Sequence, residues 1–188
     1  MTDIANLSSR YEVRELDAFD VDAILRVCRG NPLFYRYCEA RPTRGEILGD
    51  MTVTPPGVER SAKHYIGFFE ERDLVAVMDL IDGYPKEDTA YIGFFMMDAR
   101  YQGKQIGTEI IREVAACLKA DGKTAVRLAI DKGNPQSAHF WLKNGFRIIK
   151  EAEVRGWIKL VAERSLREGS AASGEDARPP QTDRIPDA

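Results

Sequence analysis

The chain has 188 residues, 44% hydrophobic and 30% charged, the composition of one globular domain with an ordinary core and a well-charged surface. Its 27 lysines and arginines against 30 aspartates and glutamates leave a formal charge of -3, which excludes the basic footprint of a dedicated nucleic-acid or anionic-membrane binder. Cys28, Cys38 and Cys117 form no CxxC and have no paired histidine spacing, and about 18 apolar residues nowhere run together, so the reading expects a cytoplasmic protein without a disulfide framework, metal site or membrane span.

Residues 1–10 read as a short leader. Tyr11 to Leu16 alternates as a first strand, and a helix follows from Asp20 to Arg29, stopped by Gly30, Asn31 and Pro32. Three aromatics crowd into Phe34, Tyr35 and Tyr37 before a second helix, Thr43 to Asp50, with Thr43 as N-cap and Glu46 as its capping-box partner. Met51 to Ala62, carrying Pro55, Pro56 and Gly57, is a loop. Strands at Tyr65 to Phe69, Leu74 to Ile81 and Ala90 to Met97 are joined by short turns and are therefore antiparallel neighbours. The third, AYIGFFMM, shows no polar alternation, so it is expected to be covered on both faces and to lie in the middle of the sheet.

A helix from Ile106 to Ala120 carries Ile106, Ile110, Ile111, Val114 and Leu118 at helical spacing, and Gly122 closes it. The next strand, Thr124 to Ile130, must then run parallel to the third through a right-handed crossover. Asn134 and Pro135 supply an N-cap and an N1 proline for a short helix to about Asn144; strands at Phe146 to Lys150 and Arg155 to Ala162 complete the sheet. The expected fold is α/β of the α+β type: a mixed sheet, antiparallel in its first half, with one parallel βαβ unit and about four flanking helices. The domain spans 11–166. From 167 to 188, Ile185 is the one large aliphatic residue, and that segment reads as a disordered tail.

Between the third strand and its helix, Gln102-Gly103-Lys104-Gln105-Ile106-Gly107-Thr108 puts glycines ahead of a helix N-terminus, whose unpaired amides and positive dipole end favour an anion. Neither a Rossmann nor a Walker fingerprint is present, and a plain strand-to-helix turn fits these residues equally well. Gln102 to Gly107 resembles the acyl-CoA pyrophosphate loop of the GNAT superfamily of N-acetyltransferases. Asn134 to Phe146, NPQSAHFWLKNGF, is similar to that family's Asn-x-x-Ala/Ser-x-x-Phe-Tyr-x-Lys-x-Gly-Phe element, in the order and context the family requires. Two departures stand out. Gln105 occupies a usual glycine position, and Trp141 stands where many members carry a tyrosine proposed to protonate the departing thiolate, a role that indole N–H cannot take.

The resemblance implies an acyl-CoA N-acyltransferase fold and direct acetyl transfer from acetyl-CoA to a primary amine of an unidentified acceptor, a small molecule in preference to a protein, with homodimers compatible. It implies cofactor contacts from Gln102, Gly103, Lys104, Gln105, Ile106, Gly107 and Thr108, backbone partners for the pantetheine arm at Phe95 and Met97, and Asn134, Phe140 and Trp141 along the arm. The Met97 amide would stabilise the oxyanion. Lys143 is expected in solvent. Asp79 interrupts the apolar run LVAVMDLI and is the candidate general base; the alternative is a structural acceptor. His139 is a weaker candidate, Asp82 reads as part of an Asp-Gly turn, His64 has no assigned role and Cys117 packs in a helix. In this fold the acceptor enters under Leu33 to Asp50, where Tyr35 and Tyr37 would wall the pocket and Arg36, Arg41 and Arg44 could meet an acidic group. A non-catalytic acyl-CoA-binding or sensing module is the alternative function, and a nucleotide-binding protein using the same helix end a third.

Overall fold

The computed structural model describes residues 2–38 and 41–167 and the backbone of 183–184. Along the chain run β1 (Glu12–Glu15), α1 (Val21–Arg29), α2 (Arg44–Asp50), β2 (Lys63–Glu70), β3 (Asp73–Asp82) and β4 (Thr89–Met97). Then follow α3 (Ile106–Ala120), β5 (Ala125–Asp131), α4 (Pro135–Lys143), β6 (Arg147–Val154), β7 (Trp157–Ser165) and the two-residue β8 (Asp183–Arg184). The strands form one sheet in the order β1-β2-β3-β4-β5-β7-β6-β8. β1 to β4 are antiparallel neighbours, and β4 and β5 are parallel across the α3 crossover, as the connection lengths require. Of the segment expected as a disordered tail, Arg167 and the backbone of Asp183–Arg184, which runs parallel to β6, are described; the rest lies outside the described residues.

Local chemistry sets the helix ends. Thr43 accepts a hydrogen bond from the Glu46 amide and Asn134 from the Ser137 amide, so both expected N-caps form. Gly122 takes φ 85° just beyond α3. The expected last strand began at Arg155, but Arg155 and Gly156 both take positive φ, 50° and 80°, and make the two-residue turn between β6 and β7. β6 consequently extends to Val154. β2 likewise starts two residues early, at Lys63.

Two apolar clusters cover the two faces of the sheet. One gathers Ile66, Phe68, Met78, Leu80, Ala90 and Ile92 with Ile110, Ile111, Val114 and Leu118 of α3 and Trp141 of α4. The other packs Tyr65, Phe69, Val77 and Met96 against Val21, Ile24, Leu25 and Cys28 of α1 and Ile47 of α2. Cys117 packs against the first cluster as expected. Among the described residues no helix is long and apolar enough to cross a membrane.

β4 lies near the middle of the sheet, yet it is not covered throughout. Its pairing with β3 passes from Asp79↔Phe94 to Leu80↔Ile92, which leaves Gly93 as an extra residue in a bulge. The bulge reverses the strand's alternation: Ala90 and Ile92 face the α3 side before it, and Phe95 and Met97 face that side after it. The parallel ladder to β5 ends at Ile92↔Leu128, so the last five residues of β4 and the last three of β5 run on unpaired with each other.

Candidate functional site

A gap between two parallel strands exposes backbone that a sheet would otherwise satisfy. The Asp98 amide donates to the Val75 carbonyl at 2.9 Å, which makes Met97↔Ala76 a non-hydrogen-bonded pair. By alternation, the N–H and C=O groups of Met97 and Phe95 turn away from β3 and into the gap. Asn31 Nδ2 donates to the Met97 carbonyl at 2.9 Å and to the Val27 carbonyl at 2.8 Å. Gln102 Nε2 donates to Asn31 Oδ1 at 2.6 Å and to the Met97 carbonyl at 3.2 Å. The end of β4 is thereby tied to α1 and to the glycine turn.

That turn has the geometry an anion site requires. Gly103 takes φ 73°, and Gln105, the residue before α3, takes φ 62° and ψ 0°, the left-handed conformation. The first-turn amides of Ile106, Gly107 and Thr108 have no partner within the helix, and the dipole end adds positive potential. Gly107 is needed because a Cβ there would lie 2.6 Å from Met97 Sδ and 3.1 Å from the Phe140 ring.

A cavity of about 670 Å³ runs from this turn, through the gap and under α1 and α2. Its lining includes Phe95, Met97, Gln102, Gly103, Gln105, Ile106, Gly107, Thr108, Asn134, Phe140, Trp141 and Tyr35. Lys104 and Tyr37 are outside the lining; the Lys104 ammonium sits 5.9 Å over the Tyr101 ring, and the Tyr37 ring lies toward Gly133. Lys143 and His139 also line it. Phe140 stacks on Phe95 at 5.8 Å, and Trp141, 6% exposed, meets Phe95, Phe140 and Phe146 at 5.9, 5.0 and 5.1 Å. Asn134 Oδ1 is used by its own helix, accepting from the Ser137 amide at 3.0 Å. Asp131, also in the lining, is paired with Lys159.

Asp79 does not line the cavity. It is buried on the α1 side of β3, and Lys63 Nζ, itself buried, donates to both its carboxylate oxygens at 2.7 Å. Burial raises its carboxyl above the usual aspartate range, and the Lys63 ammonium opposes that rise. The pair packs against the bulge: a Cβ on Gly93 would lie 2.5 Å from Asp79 Oδ2. Asp50, at the end of α2, does line the cavity together with Glu46 one turn earlier. Although Asp50 is exposed as a residue, desolvation at its carboxyl, reinforced by Glu46 and Asp79 and opposed by Lys63, lifts it to about 6.

Burial also acts on the tyrosines and on one thiol of the lining. Burial pushes the Tyr35 and Tyr65 hydroxyls well above the ordinary phenol and Tyr91 to about 12, and it raises the Cys28 thiol, which is hydrogen-bonded with Tyr35. Arg41 lines the cavity and donates to the Tyr35 and Cys38 carbonyls, Arg44 pairs with Asp22, and Arg36 is exposed. Asp82 is engaged by Lys123 and the Thr2 amide beside Gly83, and His64 Nδ1 lies 2.8 Å from Glu15 Oε1. Among the described residues no three His, Cys, Asp or Glu side chains cluster as a metal ion would need.

Asn31, Lys63 and Asp50 escape sequence reasoning. Asn31 reads as a helix terminator, and Asp50 as the last residue of a short helix. Lys63 carries a partial signal, because a lysine at the head of the apolar strand KHYIGFF stands diagonally across the β2–β3 hairpin from Asp79, whose direct partner is Tyr65.

A family profile described as "Acetyltransferase (GNAT) family" matches residues 28–146. An uncharacterized N-acetyltransferase of Methanocaldococcus jannaschii is 20% identical over 174 residues, covering 85% of this chain and 70% of that protein. An acetyltransferase from Thermus thermophilus superposes with a TM-score of 0.66 at 20% identity, over 82% of this chain and 96% of its own. The PaiA N-acetyltransferase from Thermoplasma acidophilum in complex with coenzyme A gives a TM-score of 0.60 at 18% identity, over 82% and 98%.

Two substitutions check this geometry. Gln105→Gly removes the left-handed strain of a side-chain-bearing residue and is expected to stabilise the fold by up to about 1 kcal/mol, read as a higher urea midpoint. Lys63→Met strands the Asp79 carboxylate in the interior and is expected to cost about 3 to 5 kcal/mol, while the Lys63→Met/Asp79→Leu double variant regains most of it.

Proposed function

The chain belongs to the acetyltransferase (GNAT) family, and from that premise we propose that it transfers the acetyl group of acetyl-CoA directly to a primary amine, one small enough to enter under α1 and α2. The observation that carries this reading is the continuity of a single cavity from the α3 N-terminus, through the β4–β5 gap, to the wall of Tyr35, Glu46 and Asp50. A cofactor with phosphates at one end and a reactive thioester at the other fits such a path, and an amine approaching from the α2 side would meet the thioester at the gap.

Acetyl-CoA supplies the activated acyl group; the chain supplies position and polarity. The amides at Ile106 to Thr108 suit the pyrophosphate, with Gln102, Gly103 and Gln105 shaping the turn and Lys104 adding positive charge beside it. The outward-turned backbone groups of Phe95 and Met97 suit the two amides of the pantetheine arm, which would replace the missing strand partner. Asn134, Phe140 and Trp141 form the side of that path. The Met97 N–H, facing the gap, is placed to receive negative charge developing on the carbonyl oxygen. Trp141 is buried among aromatics and has no hydroxyl to give, so it does not serve as the acid, and the attacking nitrogen is a source of the proton that the sulfur takes.

The test is thiol release from acetyl-CoA, followed with DTNB, across a panel of an amino acid, a polyamine, an aminoglycoside and a peptide amine. Amine-dependent release is expected with at least one class, and CoA but not ATP or NAD is expected to raise the melting temperature. Tight CoA binding without release on any amine would instead identify an acyl-CoA-sensing module.

A further inference from the structure

Direct transfer from a thioester to an amine needs the amine unprotonated, and most primary amines enter as ammonium ions at neutral pH. A group in the acceptor half of the cavity can take that proton, and among the described residues its carboxylates are Glu46 and Asp50. Asp79, on the same side, is kept from the cavity and has Lys63 on both oxygens. The cavity's tyrosines, together with Cys28, are held protonated by burial. Asp131 is committed to Lys159 on the far side of the gap.

We propose that Asp50 is the proton acceptor of the reaction, receiving a proton from the incoming ammonium at the α2 wall of the cavity. This rests on the acetyltransferase reading above. Asp50 ends α2 and lines the same cavity as Phe94, Phe95 and Met97 of the parted strand, and the Lys63–Asp79 pair packed on the Gly93 bulge acts on its charge. The groups facing it are Glu46 on its own helix, Lys63 and Tyr65 from β2, Asp79 from β3 and Cys28 from α1. Arg41, ahead of α2, shares the same cavity.

The balance is simple. The ammonium gives one proton to the Asp50 carboxylate, and the free amine forms the C–N bond at the thioester carbonyl. The C–S bond then breaks with its electron pair on sulfur, and the second proton of the nitrogen passes to that sulfur, leaving an amide and CoA thiol. Asp50 returns its proton to water through the open cavity. An ordinary aspartate would be a poor acceptor from an amine, whereas one lifted to about 6 is a stronger base and still ionised at pH 7. The sign follows: activity carried by this group appears as pH rises through about 6 and is lost below it.

Two readouts on the full chain test the assignment. The first is a carboxyl 13C titration of aspartate-labelled protein, with the Asp50 signal identified by its absence in Asp50→Asn. A midpoint near 6, shifted down when n-butylamine is added in the presence of CoA, is expected. A midpoint in the ordinary aspartate range, indifferent to the amine, overturns the proposal. The second is the pH profile of kcat/KM with an amine from the panel. The wild type should rise to a plateau above pH 6, whereas Asp50→Asn should fall roughly a hundredfold at pH 7 and climb steadily toward the amine's own pKa, with CoA affinity unchanged. Asp50→Glu should restore the plateau in part, and Asp79→Asn should keep it at reduced height. An Asp50→Asn profile of unaltered shape sinks Asp50 alone, and a plateau lost in Asp79→Asn but kept in Asp50→Asn moves the role to Asp79. Failure of every amine in the wild type strikes the acetyltransferase reading instead.

Discussion

The parting of β4 from β5 after Ile92 and Leu128 is the constraint on which the rest of the site depends. Two parallel strands that run on side by side normally keep their ladder, because every unpaired backbone group in a dry interior costs a lost hydrogen bond. Here the ladder stops where Gly93 inserts an extra residue into β4, and the bulge bends the strand away from its neighbour. Gly93 is required because Asp79 Oδ2 occupies the space a Cβ would fill, and Asp79 is held there by Lys63 through both oxygens. The buried ion pair thus acts on the gap through shape. It wedges the bulge, and the bulge reverses which residues of β4 face α3. Phe95 and Met97 arrive at the gap as a result, and the Met97 carbonyl is met by Asn31 and Gln102.

The electrostatics of the cavity are arranged as two unlike halves. At one end the exposed amides and dipole of a 15-residue helix make a site for negative charge without a cluster of basic side chains. At the other, Glu46 and Asp50 present carboxylates one helical turn apart, and desolvation of the Asp50 carboxyl, reinforced by the charges of Glu46 and Asp79, raises its basicity. Behind this acceptor half, outside the lining, Lys63 and Asp79 are paired and act on Asp50 in opposite directions. A chain with a formal charge of -3 can therefore carry an anion site and a cation-accepting wall within one cavity, since each is set by local geometry and not by the total.

Much of this was legible in the residues, and the division has a physical basis. The caps at Thr43 and Asn134, the extent of α3 and the parallel crossover follow from bonds between near neighbours or from connection length, so a linear reading recovers them. The glycine turn and the NPQSAHFWLKNGF element are likewise contiguous, and the question raised by a side chain at Gln105 is answered by its φ of 62°. What escaped are contacts set by register and by packing between distant elements. The Asn31–Met97 bond spans 66 residues, and Lys63 meets Asp79 diagonally across a hairpin whose exact pairing the apolar run does not announce. Asp50 owes its character to neighbours on α2, β2 and β3, none of which marks it in the sequence. The uniform apolar strand AYIGFFMM placed β4 correctly in the sheet but gave no sign that its second half would be only partly covered.

Trp141 connects these observations to the direction in which protons move. Its ring fills the junction between α4, Phe95 and Phe146 and makes that side of the gap aromatic and dry. A hydroxyl at this position could hand a proton to sulfur from the cofactor side; indole cannot. Glu46 and Asp50 stand on the opposite wall, at α2, where the acceptor would enter on the proposed reading, while His139 and Lys143 line the α4 side. On the proposed reading, the two protons that the incoming ammonium sheds are dealt with from the acceptor's side, one by a carboxylate and one by direct passage to sulfur. The absence of a hydroxyl at Trp141 and the raised carboxylate of Asp50 on α2 then belong, on the proposed reading, to one arrangement, in which the cofactor side supplies shape and the acceptor side takes the first proton.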